Sequence, residues 1–162
     1  MALPQGLLVE NGKFVTGLAP INPSTSTPDC VSMKNYDRCT VILIADNGTA
    51  TGGAVTLEQA TVVAATDAKA LAFSWVWANI DTDATDTLVK TAVTSNTFTT
   101  DSTNTKNLLY VMEINAEDLD QANGFDCVRA TMADTTAQVV CILYYLWNSR
   151  YAKATPPSAI LD

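Results

Sequence analysis

The stretch VVCILYYLW, Val139 to Trp147, runs nine residues without a charge in a 162-residue chain whose formal net charge is −8. Three readings compete for it: a membrane crossing, the wall of a ligand pocket, or a strand covered on both faces. A spanning helix needs about 20 apolar residues, and a strand of a membrane barrel alternates apolar with polar. The run is too short for the first and does not alternate as the second requires. A central strand whose second face lies under an arm or a partner fits it better. At about 3.3 Å per residue it covers roughly 30 Å, long for a strand. TVILIA, residues 40–45, has the same character, so the two are expected side by side in mid-sheet.

Outward from these two, β-type runs recur at short intervals: 38–46, 54–63, 71–80, 87–93, 96–100, 107–115, 125–132 and 137–147. The breaks DNGTATGG, DTDATD, TDSTNT and MADTT are turn-forming compositions. AEDLDQANG, 116–124, alone reads as a helical turn, ended by Gly124. The expected fold is therefore all-β, a jelly-roll-like β-sandwich of about eight strands with extended N- and C-terminal arms, because a jelly roll sets its first and last strands side by side. An immunoglobulin-like sandwich is the alternative. In FSWVWAN the large Phe73, Trp75 and Trp77 alternate with small residues, which places them on one packed face, with a sugar-stacking platform as the other reading.

The ends read differently. Asn11-Gly12 between apolar stretches signals a two-residue hairpin in which Glu10 faces Lys13 and Val9 faces Phe14. Pro20, Pro23 and Pro28 then mark a stretched connector. Residues 1–35 are assigned to an N-terminal arm with hairpin and proline-rich connector, 36–149 to the sandwich body, and 150–162 to an extended tail. The arms carry Leu7, Leu8, Val9, Phe14, Leu18, Ile21, Tyr151, Ile160 and Leu161, the candidate partner-binding residues. Leaving such side chains in water forfeits about 1.5–3 kcal/mol each.

Chemistry is mostly excluded. The chain has no histidine, which removes Ser-His-Asp and Cys-His nucleophile activation and imidazole metal sites. It contains no nucleophile-elbow, phosphate-loop or dinucleotide-binding motif. Asp81, Asp83 and Asp86 share a loop, but the twelve-residue calcium pattern would need Gly and Glu where Asp86 and Ala92 stand. Cys30, Cys39, Cys127 and Cys141 lack the paired spacing of a zinc site. Without an export signal they are expected as buried, inert thiols, with a Cys39–Cys141 bridge left open. Seventeen acidic against nine basic residues argue against nucleic-acid binding, which draws on Lys and Arg. No catalytic, metal or cofactor site is assigned, and neither a membrane nor a nucleic acid is an expected partner.

Four phrases, LPQGLLVENGKFVTGLAPINPSTSTPD, KNYDRCTVILIADNGTA, ANGFDCVRATMAD and YYLWNSRYAKATPPSAI, resemble small virion structural proteins of tailed bacteriophages, in the style of capsid decoration (cement) proteins. The resemblance implies a non-enzymatic protein, made in the host cytoplasm, that binds the major capsid protein on the capsid exterior as a homodimer or homotrimer. It transfers no individual residue role. The alternatives are a carbohydrate-binding or fibre and spike module, or another head or tail component.

Overall fold

A computed structural model describes residues 7–48, 51–103, 105–133, 138–150 and 155–161. Among them one helical turn, α1 (Leu8–Asn11), precedes eleven strands: β1 (Gly12–Ile21), β2 (Val31–Ser32), β3 (Tyr36–Asn47), β4 (Ala54–Ala60), β5 (Lys69–Ala70), β6 (Trp75–Asn79), β7 (Val89–Ala92), β8 (Thr97–Thr99), β9 (Asn107–Asn115), β10 (Cys127–Met132) and β11 (Gln138–Ser149). The protein is an all-β sandwich. One antiparallel sheet has the order β1-β11-β3-β9-β6-β7; the other has β2-β10-β4-β5, with β8 also on β4.

Alternation explains the layers. Along β3 the side chains of Cys39, Val41, Leu43 and Ala45 are buried, while Arg38 and Ile44 between them are exposed and Thr40 and Ile42 half-buried. In β11 Val140, Ile142, Tyr144 and Leu146 are buried in the same way, and β10 sends Val128, Ala130 and Met132 to meet them from the second sheet. The two doubly apolar strands pair along their length, from Gln138 opposite Asn47 to Ser149 opposite Tyr36, and β11 is central, between β3 and β1. Pairing is nested, β3 with β11, β4 with β10 and β6 with β9, as when a long hairpin is rolled up.

The ends depart from expectation. No hairpin forms at Asn11-Gly12. Leu7 N–H donates to Glu10 Oε2 and closes the turn of α1, and Gly12 is extended where a type I′ turn needs positive φ. Gly12 opens β1 instead. A Cβ there would collide with Leu146 O and the Tyr145 ring of β11, so the glycine serves strand approach rather than a turn. From Gly12 onward the presumed arm is an edge strand, and Leu18 is a core residue, 4% exposed, closed to a partner. The connector is tied down as well: Asp29 N–H donates to Gly17 O, and β2 pairs with β10. The tail folds back too. Tyr36 Oη donates to Pro157 O, Ser32 N–H donates to Ala159 O, and Ala159 is buried. The expected helical segment is two short 3-10 turns, Ala116–Asp118 and Gln121–Asn123, ended by Gly124 in the left-handed region.

Candidate interaction surface

The register aligns the outward side chains of the six-stranded sheet in rows. One row crosses every strand: Thr16, Leu143, Ile42, Val111, Trp77 and Lys90. On one side lie Phe14, Tyr145, Thr40 and Glu113; on the other Cys141, Ile44, Leu109 and Asn79. The result is a broad, largely apolar face that the described residues cover only at two margins, where α1 meets Tyr145 and where the loop after β6 buries Asn79, whose Nδ2 donates to Thr85 O. Its polar tips are satisfied from within. Trp147 Nε1 donates to Thr40 Oγ1 at 3.0 Å, Tyr145 Oη donates to Leu8 O at 3.0 Å, and Phe14 packs on the Tyr145 ring with centroids 4.5 Å apart. Water therefore meets hydrocarbon there: Phe14, Ile44, Trp75 and Val139 are exposed, and Ile42, Leu143 and Val111 are half-buried by crowding from each other. Faces this apolar on soluble proteins mark contacts with other molecules.

The tryptophans reverse their expected assignment. Val76 is the core-facing residue of β6, while Trp75 is exposed and Trp77 half-buried on the outer face. Trp75 and Trp77 pack along the sheet exterior, where Lys90 Nζ lies 4.0 Å from the Trp75 ring centroid and 5.3 Å from that of Trp77, whereas Phe73 keeps to the expected packed side, against the core and edge-on to the Phe98 ring. Beside them is a groove of about 210 Å3, lined in part by Phe73, Trp75, Trp77, Glu113, Asn115 and Asp118. Asp118 Oδ2 accepts from both nitrogens of Asn115, whose own Oδ1 is buried with no hydrogen-bond partner among the described residues.

A second feature sits at the chain ends. Among the described residues, the large apolar side chains more than half exposed are Leu7, Leu8, Val9, Val89, Ile160 and Leu161. All but Val89 belong to the two terminal segments. Those segments lie at the same end of the sandwich, because Gly12 pairs with Trp147, Ser149 with Tyr36, and Tyr36 holds Pro157. Of the other candidate partner residues, Phe14 and Ile21 are exposed along β1, and Tyr151 lies outside the described residues. The outer face itself carried a sequence signal, the doubly apolar strands, that pointed to a covered face without naming its outward residues.

All four thiols are free. Cys39 points into the core and Cys141 to the outer face, where it pairs with Ile44, so a bridge between them is ruled out. Cys141 is half-buried rather than buried. Burial pushes the Cys39 thiol far up, and a hydrogen bond with Cys30, followed by burial, does the same to Cys127. Thiols held protonated are poor nucleophiles. Among the described residues no cluster of three or more Cys, Asp or Glu is placed to hold a metal. The carboxylates of the 81–86 loop work as structural acceptors: Asp81 Oδ1 takes Ala84 N–H, and Asp83 Oδ1 takes Asn107 Nδ2. No described helix is long and apolar enough to cross a membrane. Comparison with family models, curated proteins and solved structures found no match.

Proposed function

We propose that this chain is a non-enzymatic structural protein that attaches to an assembled protein surface, and that the surface is the exterior of a tailed-phage capsid. The observation that carries attachment is the exposure of Leu7, Leu8, Val9, Ile160 and Leu161 at the same end of the sandwich. Exposed hydrocarbon of that kind, held on an ordered frame, gains more from a partner than it loses in chain entropy. The capsid rests on the sequence resemblance alone. A protein that binds only the assembled lattice stabilises it by mass action, so the mechanism needs no catalytic group.

Sugar binding at Trp75 and Trp77 is the competing reading, supported by the indole-lined groove and the free acceptor of Asn115. It is the weaker one, because Lys90 already occupies the Trp75 ring.

The test is co-sedimentation with purified capsids of the encoding phage. Wild type is expected to bind the outer surface, located by electron microscopy, and to raise the temperature at which capsids fall apart. The variant Leu7→Ser/Ile160→Ser/Leu161→Ser is expected to keep its fold and lose most of its binding. Undiminished binding by that variant, or density found inside the head or on the tail, overturns the reading.

A further inference from the structure

The outer sheet face asks for a separate occupant, because the terminal residues proposed for attachment lie at the sandwich end. We infer that it is a second copy of this chain, related by a two-fold axis that lies in the interface and crosses β3 at Ile42. The inference goes beyond the attachment reading and does not depend on it.

Three observations on the face select this arrangement. The first is charge. Arg38 and Asp46 stand four residues either side of Ile42, both exposed and outward, and neither has an ion-pair partner among the described residues. A two-fold across β3 reverses the strand end for end, so Arg38 of each copy lies over Asp46 of the other; the like pair on this axis, Lys90 with Lys90, falls on the edge strand β7, outside the five strands of the contact. An axis along β3 would stack Arg38 on Arg38 and Asp46 on Asp46.

The second is shape. On β11 the bulky outward residues, Tyr145 and Trp147, lie on one side of Leu143 and the smaller Cys141 and Val139 on the other. The same rotation sets Trp147 over Val139 and Tyr145 over Cys141, bulk into hollow, with Leu143 on Leu143 and Ile42 on Ile42 near the axis. Stacked sheets about 10 Å apart need such interdigitation.

The third is size. Four strands of about nine residues and the five residues of β6, at about 4.8 Å between strands and about 3.3 Å per residue, give a face of roughly 650 Å2 before side-chain relief. That is the order of the about 800 Å2 per partner of a stable interface. Closed two-fold dimers are also the commonest soluble assembly, and they require a self-complementary patch of this kind.

The experiment is sedimentation equilibrium on the full-length protein with charge-reversal variants. Wild type is expected to be a dimer at micromolar concentration. Arg38→Asp alone, or Asp46→Arg alone, sets like charges together twice per dimer and should raise the dimer Kd about 10- to 100-fold. The double variant Arg38→Asp/Asp46→Arg restores both contacts and should return the Kd to within about threefold of wild type. Ile42→Glu, on a surface position, should give a folded monomer with an unchanged circular dichroism spectrum. A wild-type monomer or trimer overturns the inference. So does a dimer whose single charge variants are neutral, or whose double variant is no better than the singles. Capsid binding is read separately, so the attachment reading stands or falls on its own assay.

Discussion

At the scale of single residues, Tyr144 ties the two sheets together. Its ring is fully buried in β11, its hydroxyl donates to Asp29 O at 3.0 Å, and it accepts Ala130 N–H from β10 at 2.8 Å. Burial drives its phenol up, so the bridge stays in its neutral form. Gly17 makes room for the ring, since a Cβ there would overlap its edge. Tyr144→Phe leaves a buried N–H and a carbonyl without partners, and should cost about 1–3 kcal/mol. Gly17→Ala should cost about 1–3 kcal/mol by overpacking, because the hydrogen-bonded ring cannot swing aside. In the Tyr144→Phe background the ring is no longer anchored, so the alanine should cost less and the pair should fall short of additivity. Urea midpoints at constant m-value read all four corners of this cycle. Strict additivity would show that the hydroxyl does not anchor the ring.

At the scale of elements, what could be read from sequence follows from which signals are local. The runs at 107–115 and 38–46 were legible within two residues of β9 and β3, because period-two burial is written in adjacent residues. The β3–β11 pairing was legible too, since two doubly apolar strands have few other places to go. Asn11-Gly12 misled because the same dipeptide serves a hairpin turn and the start of a strand pressed against a neighbour. Only the long-range partner, β11, distinguishes the two. The faces of Trp75 and Trp77 were illegible for a related reason: alternation fixes that they share a face, but the second sheet decides which face is the core. Partition of the N-terminal segment gives the prediction at this scale. Removing residues 1–11 takes away α1 and leaves β1 intact, so the thermal midpoint should change little. Removing residues 1–21 strips β1 from the edge of β11 and deletes the buried Leu18, and should cost more than about 3 kcal/mol. Thermal unfolding of both truncations checks this; equal stability would mean that β1 does not belong to the body.

At the scale of the molecule, the two proposals fit together through symmetry. The exposed ends, α1 and residues 155–161, share the sandwich end at which Gly12 pairs with Trp147 and Ser149 with Tyr36. A two-fold across β3 at Ile42 exchanges the strand ends, so a dimer would present its two attachment ends at opposite poles. Such a particle bridges two sites on a lattice instead of gripping one. Bridging turns the second contact into an intramolecular event, which can raise avidity by about 10²- to 10⁴-fold without any new contact. The monomeric Ile42→Glu variant keeps both terminal segments and should still bind capsids, with single-site affinity and a dissociation rate faster by about that factor. Surface plasmon resonance on immobilised capsids reads the difference directly. Sparse capsid loading should narrow the gap, because neighbouring sites are then out of reach. If the monomer dissociates as slowly as the dimer at dense loading, each body is held by one site alone, and the dimer serves some purpose other than bridging.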